Sequence, residues 1–130
     1  MPFRKIVSEY KRGQGEVYYD YACKEQNVEN ALQWYFKAAE KGNASAQDAL
    51  GDFYYNGEGV PQNLAEAEKW YRMAAEQGNA DAQFSLGFMY RNGFRVPQDL
   101  AEAAAWFHAS AERGHAGAQR NLGQMYLEGM

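Results

Sequence analysis

The chain repeats itself with a period of 36 residues and without a gap. Residues 43–78 and 79–114 are identical at 20 of the 36 positions. Residues 7–42 form a degenerate copy that matches mainly in its second half, and residues 115–130 begin a further, partial copy. Repeats of this length are typical of stacked supersecondary units that bury their apolar faces on one another. We therefore predict a single solenoid array over residues 1–130.

Each repeat contains the pattern of two helices. In the second repeat, apolar residues at helical spacing predict a helix A over residues 44–56, which an Asn-Gly pair ends. Asn63, followed by Glu66 three residues later, resembles a capping box and predicts a helix B over about residues 64–77. The same reasoning predicts helices near residues 8–21, 28–41, 80–92, 99–113 and 116–128, of which the first is the least regular.

The connections and the internal glycines predict how these helices pack. Gly78 ends a helix B and Asn79 can cap the next helix A directly, so the connection is very short and the two helices must be antiparallel. Glycine also recurs inside helix A, where it costs about 1 kcal/mol relative to alanine. Its return at the 36-residue period indicates that a side chain there would collide with a neighbouring helix; the positions are Gly15, Gly51, Gly87 and Gly123. The Trp-aromatic pairs of helix B are predicted to lie on its buried stripe.

The repeat resembles a known family pattern, A-x-A-x-x-x-L-G-x-x-Y-x-x-G-x-G-V followed by A-x-x-W-[YF]-x-x-A-A-x-x-G. Repeat two matches at Ala44, Ala46, Leu50, Gly51, Tyr54, Gly57, Gly59, Val60, Ala67, Trp70, Tyr71, Ala74, Ala75 and Gly78. The chain is thus similar to the Sel-one-like repeat (SLR) family of tetratricopeptide-like helical repeats, strongly over residues 26–129 and weakly over residues 7–25. Repeat three departs at Ser110 and at Arg95, where we expect an altered loop with Phe94 exposed.

This resemblance implies an all-α fold, a right-handed α/α superhelix of antiparallel helix pairs. It also implies a function, because members of the family resemble adaptors and scaffolds that hold proteins together. A cysteine-rich secreted subgroup has a disulfide in each repeat and is linked to penicillin binding or hydrolysis. The present chain has one cysteine, Cys23, so that implication does not carry over.

Composition argues against several other classes of function. The formal net charge is −4, with acidic and basic residues interspersed, so the basic patch of a nucleic-acid binder is missing. No apolar run approaches the ~18 residues of a membrane span, and no apolar segment typical of a signal peptide follows the first residues. A single cysteine favours a reducing, cytoplasmic location.

The sequence contains no convincing catalytic, metal-binding or cofactor-binding set. The two histidines are His108, predicted on the surface, and His115, which takes the helix-start position of Asn43 and Asn79. Cys23 has no histidine nearby in the sequence and is predicted to be a plain thiol. An enzyme is therefore the weakest of the three functional hypotheses, and we expect no cofactor.

The candidate binding site lies on the face of helix A opposite its apolar stripe. Phe84 and Phe88 are one turn apart on that face, where the repeat plan does not require apolar residues. Two readings stay open: the two rings line a concave groove that binds a peptide or protein, or they pack locally as core. Arginines near the rings suggest a partner with acidic groups beside an apolar anchor. The predicted protein-binding residues are Tyr19, Asp52, Tyr55, Phe84, Phe88, Arg91 and Arg120.

A structural role is the alternative hypothesis. The last helix A exposes an apolar stripe of Leu122, Met125 and Tyr126 that would suit a partner helix B. Self-association through the terminal helices, or capping by another chain, could cover this stripe. The chain could equally be a scaffold fragment of a longer repeat array.

Overall fold

Seven α-helices make up the regular structure of the computed structural model, which describes residues 3–93 and 98–129, with side chains from residue 11 onward. They are α1 (Phe3–Lys24), α2 (Val28–Glu40), α3 (Ala44–Asn56), α4 (Leu64–Glu76), α5 (Ala80–Asn92), α6 (Leu100–Glu112) and α7 (Ala116–Leu127). The all-α prediction is confirmed for this part of the chain. The expectations for Phe94 and Arg95 fall outside the described residues.

The helix boundaries follow the sequence pattern except at the first helix. α3 and α5 begin and end at the predicted residues. α1 is longer than predicted, at 22 residues, and runs through both Gly13 and Gly15. Gly15 is buried, and a Cβ there would lie 3.2 Å from the Asn43 Cβ. Packing on the following repeat therefore outweighs the low helix propensity of glycine.

Local capping fixes the helix ends as predicted. At the start of each of the three later helix A segments, a side chain accepts a hydrogen bond from the backbone N–H three residues ahead. The caps are Asn43, Asn79 and His115, at 2.8, 2.9 and 3.0 Å. Asn63 and Asp99 cap α4 and α6 in the same way. Gly57 and Gly93 end α3 and α5 in the left-handed region, with φ of 71° and 70°.

The hydrophobic core continues from each repeat into the next. Three buried clusters join α2 to α3, α4 to α5, and α6 to α7, so each helix B packs on the helix A of the next repeat. Alanines supply much of the contact and allow close approach. The largest fully buried apolar side chains are Phe107, Leu50, Leu86, Met89 and Met125. Stacking of neighbours is thus what buries the apolar surface.

In repeats two and three, the helix A glycine makes room for an aromatic ring of helix B, as predicted, whereas among the described residues the predicted collision is absent at Gly123. A Cβ on Gly87 would lie only 2.8 Å from the Phe107 ring, and Tyr71 covers Gly51 in the same way. These rings are 3% (Tyr71) and 0% (Phe107) exposed, whereas the tryptophans that precede them are half-buried. The prediction of buried Trp-aromatic pairs is corrected accordingly: in repeats two and three the second ring faces the glycine and the tryptophan is half-buried, and in repeat one both Trp34 and Tyr35 are half-buried.

A periodic hydrogen bond that the sequence analysis did not anticipate ties the repeats together. The amide Nε2 atoms of Gln47, Gln83 and Gln119 donate to carbonyl oxygens in the last turn of the preceding helix B, at 3.2, 3.1 and 3.1 Å. In addition, α3 contacts α5 directly, across the repeat boundary. The helix A segments therefore form one layer, and the candidate site lies on that layer.

Candidate functional site

A cleft of about 280 Å³ opens between α3 and α5 on the helix A layer. Seven residues line it: Asp52, Tyr55, Asn56, Tyr71, Phe84, Ser85 and Phe88. Four of them, Asp52, Tyr55, Phe84 and Phe88, belong to the set predicted from the sequence. The cleft therefore brings together side chains from two consecutive repeats, the second and the third.

The α5 wall of the cleft is aromatic. Phe84 is half-buried, and its ring centroid lies 5.7 Å from that of Phe107 and 4.6 Å from that of His115, against which it stacks. Phe88 remains 37% exposed, with its ring 6.5 Å from Phe84. The sequence left open whether these rings line a groove or pack as core, and Phe84 does both: one side contacts the core residue Phe107 and another lines the cleft. Phe88 lines the cleft and is partly exposed to solvent.

The α3 wall is polar and acidic. The Tyr71 hydroxyl donates a hydrogen bond of 2.5 Å to Asp52 Oδ1. Burial and this bond raise the pKa of Tyr71. Partial burial and the Asp81 carboxylate raise the pKa of Asp52, against the opposing effect of the Tyr71 hydroxyl. Asp52 is therefore a positioned carboxylate at the edge of the cleft.

Asp48, one turn before Asp52, is a second carboxylate on the same face. Its Oδ1 atom is shielded from water and has no hydrogen-bond partner among the described residues. Desolvation, followed by the charges of Asp52 and Asp81, raises the pKa of Asp48 to about 7. Asp48 is not among the binding residues predicted from the sequence. The signal that could have found it is the pair of acidic residues at i and i+4, which the framework of the repeat does not require.

His115 connects the aromatic wall to the third carboxylate. Its Nδ1 atom accepts the capping hydrogen bond from the Ala118 N–H, so Nε2 is the nitrogen that donates. Nε2 lies 3.2 Å from Asp81 Oδ1. The imidazole thus supports Phe84 by stacking and holds Asp81 beside the cleft.

The predicted arginines and Tyr19 lie outside the cleft lining. Arg91 donates to Asn121 Oδ1 at 2.7 Å and pairs with Glu128 at 3.6 Å, so α7 engages its guanidinium. Arg120 is exposed on α7, and Tyr19 packs on Tyr35 with ring centroids 6.0 Å apart. The charged residue that lines the cleft is Asp52. The expectation of an acidic partner rested on arginines that lie outside this lining.

The other candidate groups lie apart from one another. Cys23 is an exposed free thiol 3.9 Å from the Tyr35 hydroxyl, and His108 is an exposed residue 3.5 Å from Glu112. Within residues 11–93 and 98–129, no three His, Cys, Asp or Glu side chains converge in a way that could hold a metal ion. None of the helices in the described part is both long and apolar enough to cross a membrane.

Comparison with known families gives four matches to one repeat. The model of the Sel1 repeat matches residues 8–43, 44–79, 80–115 and 116–130. The chain belongs to the Sel1 repeat family. These boundaries lie one residue after those predicted from the sequence. Proteins built from Sel1 repeats are generally non-catalytic interaction scaffolds.

Solved structures agree with this assignment. A protective antigen of uropathogenic Escherichia coli with an SLR fold is 38% identical, with a TM-score of 0.78 over 94% of this chain and 26% of its own. A Sel1 repeat protein from Oxalobacter formigenes is 38% identical, with a TM-score of 0.76 over 94% of this chain and 50% of its own. The present chain thus spans about a quarter of the length of the first protein and half the length of the second. The fold is an all-α solenoid of repeats.

A third similar structure is cysteine-rich protein B of Helicobacter pylori. It is 25% identical, with a TM-score of 0.75 over 91% of this chain and 93% of its own. The likeness supports the fold, while the single cysteine of the present chain cannot form a disulfide in each repeat. Comparison with curated proteins gives no significant match.

Proposed function

We propose that this protein is a non-enzymatic interaction module, an adaptor that binds a peptide or a protein surface on its helix A layer. The observation that carries the proposal is the cleft between α3 and α5, where a half-open aromatic wall faces positioned polar groups. The repeat framework accounts for the buried glycines, leucines and alanines, but it does not require Phe88 on this face. Exposed aromatic rings beside polar groups are typical of binding hot spots.

The cleft is large enough to receive side chains of a macromolecular partner. Small-molecule sites usually occupy about 300–1,000 Å³ and enclose most of the ligand. The present cleft, at about 280 Å³, would hold one or two side chains of a larger partner. We propose that Tyr19, Arg91 and Arg120 contribute at the edges of this interface. We also propose a cytoplasmic location, a single array over residues 1–130, and action without cofactor or catalysis.

A pull-down with matched surface variants tests this function. Phe88→Ser removes the exposed ring from the cleft, and Met73→Ser removes a side chain of similar exposure (39%) from α4, outside the cleft lining. Both variants should keep the melting temperature of the wild type. A partner recovered from source-cell lysate by wild type and Met73→Ser, but not by Phe88→Ser, would support the cleft. Equal recovery by all three proteins would contradict it.

A second candidate function, self-association through α7, is supported by an exposed apolar end. Leu127 is 85% exposed and Tyr126 is also exposed. The predicted stripe is corrected at Met125, which is buried against α6, and at Leu122, which is half-buried there. No described atom lies within 4 Å of the place where a Cβ would stand on Gly123, although Gly51 and Gly87 are covered by rings. Light scattering over a concentration series distinguishes the functions. A mass that doubles in the wild type but not in Leu127→Ser supports self-association, and a constant monomer mass rejects it.

A further inference from the structure

We infer that the partner of the cleft presents a cationic side chain, lysine or arginine, next to an apolar one. In this arrangement Asp52 faces the cation, with Asp48 one turn before it on the same helix, and Phe84 and Phe88 face the apolar group. The inference rests on the proposed function and adds the chemistry of the partner.

The charge of the site is the first argument. Asp48, Asp52 and Asp81 act on one another, and within residues 11–93 and 98–129 no Lys or Arg forms an ion pair with any of them. The other ionisable groups that act with Asp48 are uncharged hydroxyls, Tyr71 from α4 and Tyr19 from α1. The whole chain also carries a net charge of −4. Such a surface attracts cationic partners and repels anionic ones.

The unmet hydrogen-bonding capacity of Asp48 is the second argument. Its Oδ1 atom is shielded from water and has no donor in the described part of the chain. Leaving a buried carboxylate oxygen without a donor costs free energy, and the raised pKa of Asp48, about 7, reflects that cost. The equivalent positions hold Arg12, Phe84 and Arg120, so the repeat framework does not dictate a carboxylate here. A partner's ammonium or guanidinium group held at Asp52, one turn away, would stabilise the ionised form of Asp48 through its charge.

The closeness of the two walls is the third argument. Asp52 and Phe88 line the same cleft of about 280 Å³. Lysine and arginine have apolar stems and charged ends, so one such residue can lay its stem on an aromatic ring while its charge reaches a carboxylate. An adjacent apolar residue of the partner would then cover the exposed part of Phe88. An acidic or wholly apolar segment would leave one of the two walls unmatched.

A displayed library of random 12-residue peptides provides the test. The library is selected on wild type, on Asp48→Asn and on the control Met73→Ser, and each protein is first shown to be folded by circular dichroism. Peptides selected on wild type are synthesised together with versions in which each Lys or Arg is replaced by norleucine or citrulline. Dissociation constants are then measured by fluorescence anisotropy, with Phe88→Ser as the test of the cleft.

We expect wild type and Met73→Ser to select Lys or Arg beside an apolar residue. Loss of one charge-assisted hydrogen bond should weaken binding about tenfold when the cation is removed from the peptide. Asp48→Asn should weaken binding by a smaller factor, because Asp48 acts on the cation through its charge alone. Cleft-dependent peptides without a cationic preference, or with an acidic one, would overturn the inference and leave the proposed function standing. The absence of any peptide that depends on Phe88 would overturn both.

Discussion

Repeats two and three share one packing framework, but their helix A faces differ in chemistry: one is acidic and the other aromatic. Their caps, internal glycines and stripe leucines correspond one to one, and α3 and α5 have equal lengths. At equivalent positions of the helix A face, however, Asp48 and Asp52 in one repeat become Phe84 and Phe88 in the next. The cleft forms where these two surfaces meet. The comparison shows that stacking fixes the framework and leaves the outward positions free to diverge.

The aromatic residue that packs over the internal glycine also differs between the two repeats, by one hydroxyl group. Tyr71 covers Gly51 and its hydroxyl reaches Asp52, whereas Phe107 covers Gly87 and contacts Phe84 instead. The same packing position therefore supports a carboxylate in repeat two and an aromatic ring in repeat three. The difference in surface chemistry extends inward to the residue over the glycine.

The largest expected effect is the loss of a ring over a glycine. Phe107→Ala should lower the free energy of unfolding by about 3–5 kcal/mol, because it leaves a cavity between α5 and α6. Urea unfolding followed by circular dichroism measures the change. Met73→Ala on α4 is the control and should stay within about 0.5 kcal/mol of wild type. Similar curves for Phe107→Ala and Met73→Ala would mean that Phe107 is not core.

The reciprocal change, filling the glycine position, should have the next largest effect. Gly87→Leu should destabilise by about 1–3 kcal/mol, because its side chain would enter the volume of the Phe107 ring. The matched change Gly123→Leu, where no described atom lies within 4 Å of a Cβ, should be neutral or slightly stabilising. Thermal melts compare the two variants. Equal melting temperatures would refute the packing role of the periodic glycine.

Removing the acidic character of repeat two should have a pH-dependent effect. The pKa of Asp48 in the folded protein, about 7, lies above its ordinary value of 3.8, so the folded state holds this proton more tightly than the unfolded state. The protonated form of Asp48 stabilises the fold relative to the ionised form, and this stabilisation is lost as the pH rises from about 4 to about 7. Above pH 7 the folded protein carries the full free-energy cost of burying the ionised carboxylate.

Asp48→Asn should remove that cost. Because Asp48 is only half-buried, we expect a stabilisation of about 1–2 kcal/mol at pH 8 and less at pH 5. Urea unfolding at the two pH values measures the difference. An equal effect at both would show that the ionisation of Asp48 is not coupled to folding.

The smallest expected effect comes from giving repeat two the ring of repeat three. Tyr71→Phe keeps the ring over Gly51 and removes the hydrogen bond to Asp52. It should destabilise by about 0.5–1.5 kcal/mol, and most of that loss should disappear in an Asp52→Ala background, which has no side-chain acceptor. A double-mutant cycle measures this coupling. Additive effects would show that the hydroxyl acts independently of Asp52.

Much of the architecture could be predicted from the sequence because its causes are local. Helix length follows from the apolar spacing and from capping side chains, such as Asn63 and Asp99, that bind the backbone N–H three residues ahead. The 36-residue period identified the Sel1 repeat, and the recurring glycine identified close helix contacts. The first helix was less predictable, since its glycines break the local pattern and packing on the next repeat restores the helix.

The composition of the site depended on tertiary structure. The sequence predicted Asp52, Phe84 and Phe88 in one binding site, but it could not tell that Asp48 would be half-buried, with an Oδ1 atom that has no partner in the described part of the chain. Nor could it tell that α7 would engage Arg91. Such contacts join residues about 30 or more positions apart and depend on the angle between repeats and on side-chain rotamers. Helical periodicity and capping fix neither quantity, whereas stacking of the repeats fixes both.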